Sequence, residues 1–236
     1  MSKALWELGG LRFWSANEIQ LREQFQDRAA LVVRQTLLAM NPAWQFERCE
    51  GPCLHPESRI SQEYNERDVF FTQDSRGGET LCLRPETTAS SYAYMGHLLG
   101  ATKAKYPLCV YQAGKSFRRE LNDGASAAKL RFNEFWQLEF QCAYSVSTKA
   151  DYRTALIKGI EREIGRFTRL KTRVIESDRL PAYSRSTVDI EVYVGEEPTS
   201  AWRELASCSI RTDFDPDVLV CEIAIGLDRV AELAAA

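Results

Sequence analysis

Polar side chains that could bind a charged ligand occur on two predicted strands, 107–120 and 131–144. Successive side chains of a strand point to opposite faces, and the second run alternates cleanly between an apolar and a polar face. The polar face carries an aromatic ring, two amides and a carboxylate, from Phe135, Gln137, Glu139 and Gln141. The first strand adds Arg118 and Glu120. A half-exposed sheet face often carries Gln and Glu because water covers it, so this pattern alone leaves both a solvated face and a binding face open.

Three further segments place charges where predicted strands end or face one way, and this recurrence favours a binding face. The segments 83–86, 201–215 and 221–229 contribute Glu86, Glu204, Arg211, Glu222 and Arg229. A cation in the first turn of a helix opposes the helix dipole, so Arg229 is expected to serve something other than helix stability. Guanidinium groups bind polyphosphates, aromatic rings stack on bases, and carboxylates bind ammonium groups or metals. The sequence therefore predicts a charged cleft on a sheet.

The elements that must carry this cleft can be read from hydrophobic periodicity. Helical spacing predicts amphipathic helices over 20–40 and 149–168, and a last helix begins after Gly226. Four alternating runs between residues 172 and 225 predict further strands. No linker, repeat or low-complexity segment interrupts the pattern, so we expect one domain over residues 1–236. Helices flanking a largely antiparallel sheet define its class as α+β.

Composition limits the function classes. The chain has 236 residues and a net charge of −3, which provides no strong overall attraction to nucleic acid or to an anionic membrane. No apolar run approaches the roughly 20 residues of a membrane helix. Seven cysteines without a Cys-x-x-Cys pair favour reduced core thiols and a cytoplasmic location. Cys49, Cys53 and His55 could supply three zinc ligands, but no second cluster follows, so zinc is not expected.

Several motifs in order resemble the catalytic core of class II aminoacyl-tRNA synthetases, and specifically the dimeric glycyl-tRNA synthetases. The first signature is matched by RFWSANEIQLREQF and FERCEGPCL, and the second by VYQAGKSFRREL and LRFNEFWQLEF. LRPETTASSY, AYSRSTVDIEV and WRELASCSIRTDFD resemble family segments, and IAIGLDR resembles the third signature. The resemblance implies an antiparallel sheet of about six strands with flanking helices. It also implies a homodimer through residues 20–52.

The resemblance also implies roles for single residues, with ATP and Mg²⁺ as cofactors. The expected ATP-binding residues are Arg118, Glu120, Arg131, Phe135 and Arg229. Of these, Arg118 and Arg229 are the expected catalytic residues, holding the α- and γ-phosphates. The expected amino-acid-binding residues are Glu86, Glu139, Gln141, Arg211, Glu222 and Ala224. Glu204 and Glu222 are the expected Mg²⁺ ligands. Formation of an aminoacyl-adenylate needs positioning and charge neutralisation rather than a protein nucleophile, and a chain with only two histidines fits this requirement.

Three positions depart from the glycyl pattern. Gln141 stands where the family has a second Glu, Ala224 replaces a Ser, and the third signature reads Gly-Leu-Asp-Arg instead of Gly-Leu-Gly-Arg. Glycine is the first expectation for the substrate, with alanine, serine or another small amino acid open. One methyl or hydroxyl group is worth only about 1–3 kcal/mol of discrimination, so small pocket changes can shift the choice.

Three functions are compatible with this pattern. Because the sequence shows no anticodon-binding domain, we expect a ligase that activates a small amino acid and transfers it to an acceptor not read by an anticodon. That acceptor could be a carrier protein, a protein side chain, a small molecule or a nucleic-acid base. A second hypothesis is a minimal enzyme that charges tRNA through the acceptor stem, alone or with a separate subunit. A third is a non-catalytic accessory subunit, which the charged pocket argues against.

Overall fold

The computed structural model describes residues 5–6, 12–60, 64, 67–72, 78–102, 104–120, 130–178, 180, 183–195 and 201–235. Its helices are α1 (Ala16–Met40), α2 (Thr88–Ala101), α3 (Tyr152–Thr168) and α4 (Leu227–Ala235). The first strands are β1 (Leu5–Trp6), β2 (Arg12–Phe13), β3 (Gln45–Arg48), β4 (Leu54–Pro56) and β5 (Leu81–Leu83). The longer strands are β6 (Leu108–Phe117), β7 (Glu134–Ser145), β8 (Thr172–Glu176), β9 (Ser184–Tyr193), β10 (Trp202–Asp215) and β11 (Val218–Gly226).

A seven-stranded sheet organises the chain, in the order β3-β6-β7-β11-β10-β9-β8. All neighbouring strands in it are antiparallel except β3 and β6, which are parallel. The predicted α+β class is confirmed, and the sheet has seven strands where about six were expected. The sheet ends in two short strands, β3 with four residues and β8 with five.

Helices α1, α3 and α4 cover one face of the sheet and enclose the main hydrophobic core. The α1 side of this core consists of Phe25, Ala29, Val33 and Leu37, whose spacing is helical. A capping box fixes the start of α1, because the Ser15 hydroxyl accepts from the Glu18 amide and the Glu18 carboxylate accepts from the Ser15 amide. The apolar face of β7, including Leu138 and Phe140, packs against these helices.

The opposite face of the sheet is divided between an apolar half and a polar half. Met95 of α2 packs on Val110, Ala143 and Val220, so α2 covers the apolar half. The polar half, toward the end of β6 and the beginning of β7, carries the side chains predicted to face a ligand. A smaller antiparallel pair of β4 and β5 lies in the chain between β3 and α2.

All seven cysteines are free thiols, and five of them are buried. No group of three or more His, Cys, Asp or Glu side chains that could hold a metal occurs among the described residues, so Cys49, Cys53 and His55 form no zinc site. None of the helices in the described ranges is long and apolar enough to cross a membrane.

Candidate active site

A cavity of about 700 Å³ lies over the polar half of the sheet. Strands β7, β9, β10 and β11 provide its floor, and the segments before α2 and after β6 provide its walls. The predicted ligand-binding residues that line it are Glu86, Arg118, Glu120, Arg131, Phe135, Glu204, Glu222, Ala224 and Arg229. The size is within the range of small-molecule sites, and the many charged groups indicate a charged ligand.

One wall of the cavity combines a guanidinium group with an aromatic plane. The Arg118 guanidinium lies 5.3 Å from the centre of the Phe135 ring and 5.5 Å from that of Tyr64. Its Nη2 donates to the Tyr64 hydroxyl at 2.9 Å, and its Nε donates to the Pro85 carbonyl at 3.2 Å. The Tyr64 hydroxyl in turn donates to Glu86 Oε2 at 2.9 Å. Arg118 is therefore held in place before any ligand binds.

Two more guanidinium groups border the same end of the cavity. Arg229 donates to the backbone carbonyls of Leu130 and Glu204, at 2.9 and 2.8 Å. This anchoring turns the side chain away from its own helix and explains an arginine in the first turn of α4. Arg131 pairs with Glu120 at 3.6 Å, and its side chain is about half exposed. Three guanidinium groups around one cavity provide strong sites for phosphate oxygens.

A network of acidic and amide side chains lies on the floor and beneath it. Glu139 Oε2 accepts from the hydroxyls of Thr87 and Thr88, at 2.7 and 3.0 Å. The Gln141 Nε2 amide bridges two carboxylates, with 2.6 Å to Glu139 Oε1 and 2.8 Å to Glu222 Oε2. The Oε1 atom of Gln141 is buried without a hydrogen-bond partner among the described residues. The network therefore holds two carboxylates close together through a single amide.

Burial and mutual repulsion shift the proton affinities of these carboxyls. Burial, together with the negative charges of Glu222 and Glu86, raises the pKa of Glu139 to about 8. Burial likewise raises the pKa of Glu86, with Glu222 as the next cause. On β9, burial and the nearby Glu204 raise the pKa of Asp189 to about 6. A cationic group in this end of the cavity would relieve the repulsion, which makes it a site for an ammonium group.

Arg211 closes the far side of the carboxylate network. Its Nη1 donates to Glu222 Oε2 at 2.7 Å, and its Nε and Nη2 donate to Asp213 at 3.1 and 2.8 Å. The guanidinium also lies 4.2 Å from the centre of the Tyr92 ring and 3.6 Å from that of Tyr183. Two carboxylates and two aromatic rings thus fix its position.

Comparison with known proteins assigns the family. Residues 31–235 match the family model described as the tRNA synthetases class II core domain (F). This match spans most of the chain. The chain belongs to the class II tRNA synthetases.

Relatives of this synthetase core include glycine–tRNA ligases. The ligase of Ruminiclostridium cellulolyticum is 31% identical over 151 residues, covering 61% of this chain and 30% of that protein. The ligase of Clostridium kluyveri is 30% identical over 151 residues, with the same coverage. The chain therefore spans about a third of the length of the curated relatives it matches.

Solved structures of other synthetases share the fold. Prolyl-tRNA synthetase from Cryptosporidium parvum, complexed with halofuginone and AMPPNP, superposes with a TM-score of 0.75 at 13% identity. The superposition covers 97% of this chain and 48% of the prolyl-tRNA synthetase chain. The Giardia lamblia prolyl-tRNA synthetase complex with prolyl-adenylate gives a TM-score of 0.72 at 16% identity, covering 95% and 48% of the two chains. At these identities the comparison concerns the fold alone.

The structure places three predicted amino-acid-binding residues of this synthetase core below the cavity instead of on its surface. Glu139 and Gln141 are completely buried, Arg211 is almost so, and none of the three lines the cavity. Direct contact of an ammonium group with Glu139 is therefore not what this geometry favours. Glu86 and Glu222 face the cavity and are the carboxylates that a ligand would meet, while Glu139 acts on them through its charge and through Gln141.

The two expected Mg²⁺ ligands do not come together. Glu222 pairs in register with Ser209, and Glu204 lies five residues earlier on β10, roughly 16 Å away along the strand. Each carboxylate also has its own arginine, Arg211 for Glu222 and Arg229 for Glu204. Because Mg²⁺ commonly binds one carboxylate together with substrate phosphates, Glu204 alone fits such an ion beside Arg229.

Sequence reasoning missed several residues that build the site. Arg84 is buried, and it donates to the carbonyls of Lys115, Gly51 and Pro52, at 2.7, 2.8 and 3.1 Å. Gly114 makes room for it, since a Cβ there would lie 2.2 Å from Arg84 Nη2. In the sequence, the only signal for Arg84 was its place in the LRPE segment. Thr87, Thr88 and Tyr64 carried no signal, because hydroxyls of these residue types are common everywhere.

Proposed function

We propose that this protein activates a small amino acid with ATP, forming an aminoacyl-adenylate and releasing pyrophosphate. The amino-acid carboxylate attacks the α-phosphorus, the bond to the β-phosphate oxygen breaks, and pyrophosphate leaves with that electron pair. The single observation that carries the proposal is that one cavity is lined by both guanidinium groups and carboxylates. Arg118, Arg131 and Arg229 supply the cations, and Glu86 and Glu222 are the carboxylates joined to the buried network. This arrangement suits a polyphosphate beside an ammonium group.

Each cavity residue then has a part in binding or orienting the substrates. Phe135 stacks on the adenine, Glu120 contacts its edge, and Arg118 neutralises the α-phosphate. Arg229 and Arg131 hold the γ-phosphate end. Mg²⁺ held by Glu204 and the phosphates would add further charge neutralisation. Catalysis of this type relies on positioning and on charges fixed in advance, and the anchored guanidiniums of Arg118 and Arg229 meet that requirement.

The ammonium group of the amino acid binds between Glu86 and Glu222. Glu139 below them, hydrogen-bonded to Thr87 and Thr88, adds negative charge without direct contact once it is ionised. Gln141 replaces a potential further carboxylate with an amide, which limits the repulsion within the network. Glycine is the first candidate for the amino-acid substrate, and the similarity to glycine–tRNA ligases supports it. Ala224 lines the cavity where a hydroxyl would otherwise be expected, so alanine and serine are the alternatives to test.

The acyl acceptor is proposed to be one that is not selected by an anticodon: a carrier protein, a protein side chain, a small molecule or a nucleic-acid base. The alternative, tRNA charged through its acceptor stem, is supported by the names of the similar ligases. The homodimer through residues 20–52 and the cytoplasmic location stay predictions.

Amino-acid-dependent exchange of pyrophosphate into ATP tests the proposal. The assay is run with each of the twenty amino acids and without any acceptor, and we expect a signal with one small amino acid. Labelled amino acid is then captured on tRNA, on carrier protein or on the enzyme itself, which separates the acceptor hypotheses. Absence of exchange with every amino acid, in folded protein and also with tRNA added, would refute the proposed enzymatic activity. It would favour the hypothesis of a non-catalytic accessory subunit.

A further inference from the structure

Asp228, the second residue of α4, joins three elements through one buried carboxylate. Its Oδ2 accepts from the backbone amide of Trp136 at the beginning of β7, at 2.8 Å. Its Oδ1 pairs with Nη1 of Arg22 in the second turn of α1, at 3.0 Å. The Asp228 side chain is 1% exposed and that of Arg22 is 12% exposed. Both charges have therefore been removed from water, at a cost that the ion pair only partly offsets.

Asp228, Arg22 and Trp136 each contact the other two. The Arg22 guanidinium, besides pairing with Asp228, lies 4.9 Å from the centre of the Trp136 ring. Trp136 is thus held at its backbone by Asp228 and at its ring by Arg22. Such a triangle restricts the beginning of β7 relative to the first turn of α4, two segments 92 residues apart in the chain.

The restricted segments carry two of the proposed ATP-binding residues. Phe135 precedes Trp136, and Arg229 follows Asp228. Both line the cavity, at the places where the adenine and the γ-phosphate end are proposed to bind. We infer that Asp228 and Arg22 are positioning residues that set the spacing between Phe135 and Arg229, so that one ATP molecule meets both at once. This inference rests on the proposed function, because it assumes that the cavity binds ATP.

The pH dependence gives the inference a second signature. Burial raises the pKa of Asp228 to about 6, against the lowering effects of the Trp136 amide, Arg22 and Arg12. Among the described residues, the charged side chains that act on it are Arg22 of α1 and Arg12 of β2, and its contact on β7 is the backbone amide of Trp136. Protonation of Asp228 below this pH would break the ion pair. ATP binding should therefore weaken as the pH falls through about 6.

The experiment measures ATP affinity in variants of the pair. Asp228→Asn keeps an acceptor for the Trp136 amide and loses the charge, and Arg22→Met loses the opposite charge. We expect each to weaken binding of a fluorescent ATP analogue roughly tenfold. The double variant should be no weaker than either single one, because the two residues act as a unit. Arg22→Lys restores a cation and should recover most of the affinity.

Glu232→Gln is the matched control. Arg12 pairs with both Glu18 of α1 and Glu232 of α4, so this variant breaks another link between the same two helices. It does not touch Trp136, and we expect unchanged ATP affinity. In the exchange assay, Asp228→Asn should raise the KM for ATP and leave the KM for the amino acid unchanged. Its ATP affinity should also depend less steeply on pH near 6 than that of the wild type, and the remaining dependence reflects Asp189 and the phosphates of ATP.

The outcomes separate this inference from the proposed function. If folded Asp228→Asn and Arg22→Met bind ATP like the wild type, or if Glu232→Gln weakens binding equally, the positioning role is refuted and the proposed function stands. If the wild type binds ATP but exchanges pyrophosphate with no amino acid, the proposed function fails and the affinities of the variants still decide the inference. If the wild type binds no ATP, both are wrong.

Discussion

Replacement of Glu139 by Gln should make the folded protein more stable, although Glu139 lies at the centre of the carboxylate network. The side chain is completely buried, and its pKa is about 8 compared with an ordinary value of 4.5. A carboxyl whose pKa is raised on folding contributes stability that is complete below the unfolded pKa. That contribution is lost as the pH rises through the folded pKa. Ionisation of Glu139 should therefore lower the stability progressively between about pH 4.5 and pH 8, and the loss persists at higher pH.

The magnitude follows from the two pKa values. One pKa unit corresponds to about 1.4 kcal/mol, so the ionised carboxylate costs up to roughly 5 kcal/mol above pH 8. At pH 7 the same relation gives a cost of roughly 3 kcal/mol, and at pH 5 less than about 1 kcal/mol. Glutamine removes the charge and keeps the shape. Its carbonyl can still accept from Thr87 and Thr88. The free Oε1 of Gln141 can turn to accept from the new amide, at the expense of the Gln141 hydrogen bond to Glu222.

Urea denaturation of the wild type and Glu139→Gln at pH 5, 7 and 9 provides the test. We expect the free energy of unfolding to differ little at pH 5, and the variant to become increasingly more stable as the pH rises. Glu134→Gln, at the exposed beginning of the same strand, is the control and should show no such trend. A difference between Glu139→Gln and the wild type that is constant with pH, or a less stable variant at pH 9, would refute the reasoning.

Three other predictions concern binding and stability. The apparent affinity for the amino acid should rise with pH through about 8, because an ionised Glu139 favours an ammonium group. This rise should vanish in Glu139→Gln. Pyrophosphate exchange at varied amino-acid concentration measures both. Arg118→Ala should abolish exchange without unfolding the protein, whereas Arg166→Ala, at an exposed position of α3 outside the cavity, should stay active. Arg84→Ala should lower the free energy of unfolding by roughly 3–5 kcal/mol, since three carbonyls lose a buried charged donor; an unchanged thermal midpoint would contradict this.

Much of the candidate site was predictable because strand side chains alternate with a period of two. The alternation along β7 assigned Phe135, Gln137 and Glu139 to one face before any neighbour was known. The helical spacing of Phe25, Ala29 and Val33 similarly identified the buried side of α1. These inferences needed only local geometry. The four charged segments recognised in the sequence contribute nine of the predicted residues to the lining of one cavity.

The burial depth of the site side chains, and the residues that they contact, were not predictable in the same way. Alternation assigns Glu139 and Gln141 to the ligand face, but α2 and its preceding segment bury both below the cavity floor. Glu204 and Glu222 both belong to strands that border the cavity, yet the register of β10 with β11 keeps them apart. Register depends on turns and on packing elsewhere in the sheet, which a local pattern does not contain.

The sequence by itself determined which residues face the ligand side of each element, because periodicity is a property of the local backbone. The tertiary structure alone decided which of them meet. Arg22 and Asp228 lie 206 residues apart, and neither carries a local signal for the other. Their pairing arises because α1 and α4 pack on the same face of the sheet. Burial removes both charges from water, so each depends on the other for charge compensation. The pKa of Glu139 has the same origin, since desolvation and neighbouring charges exist only once the chain has folded.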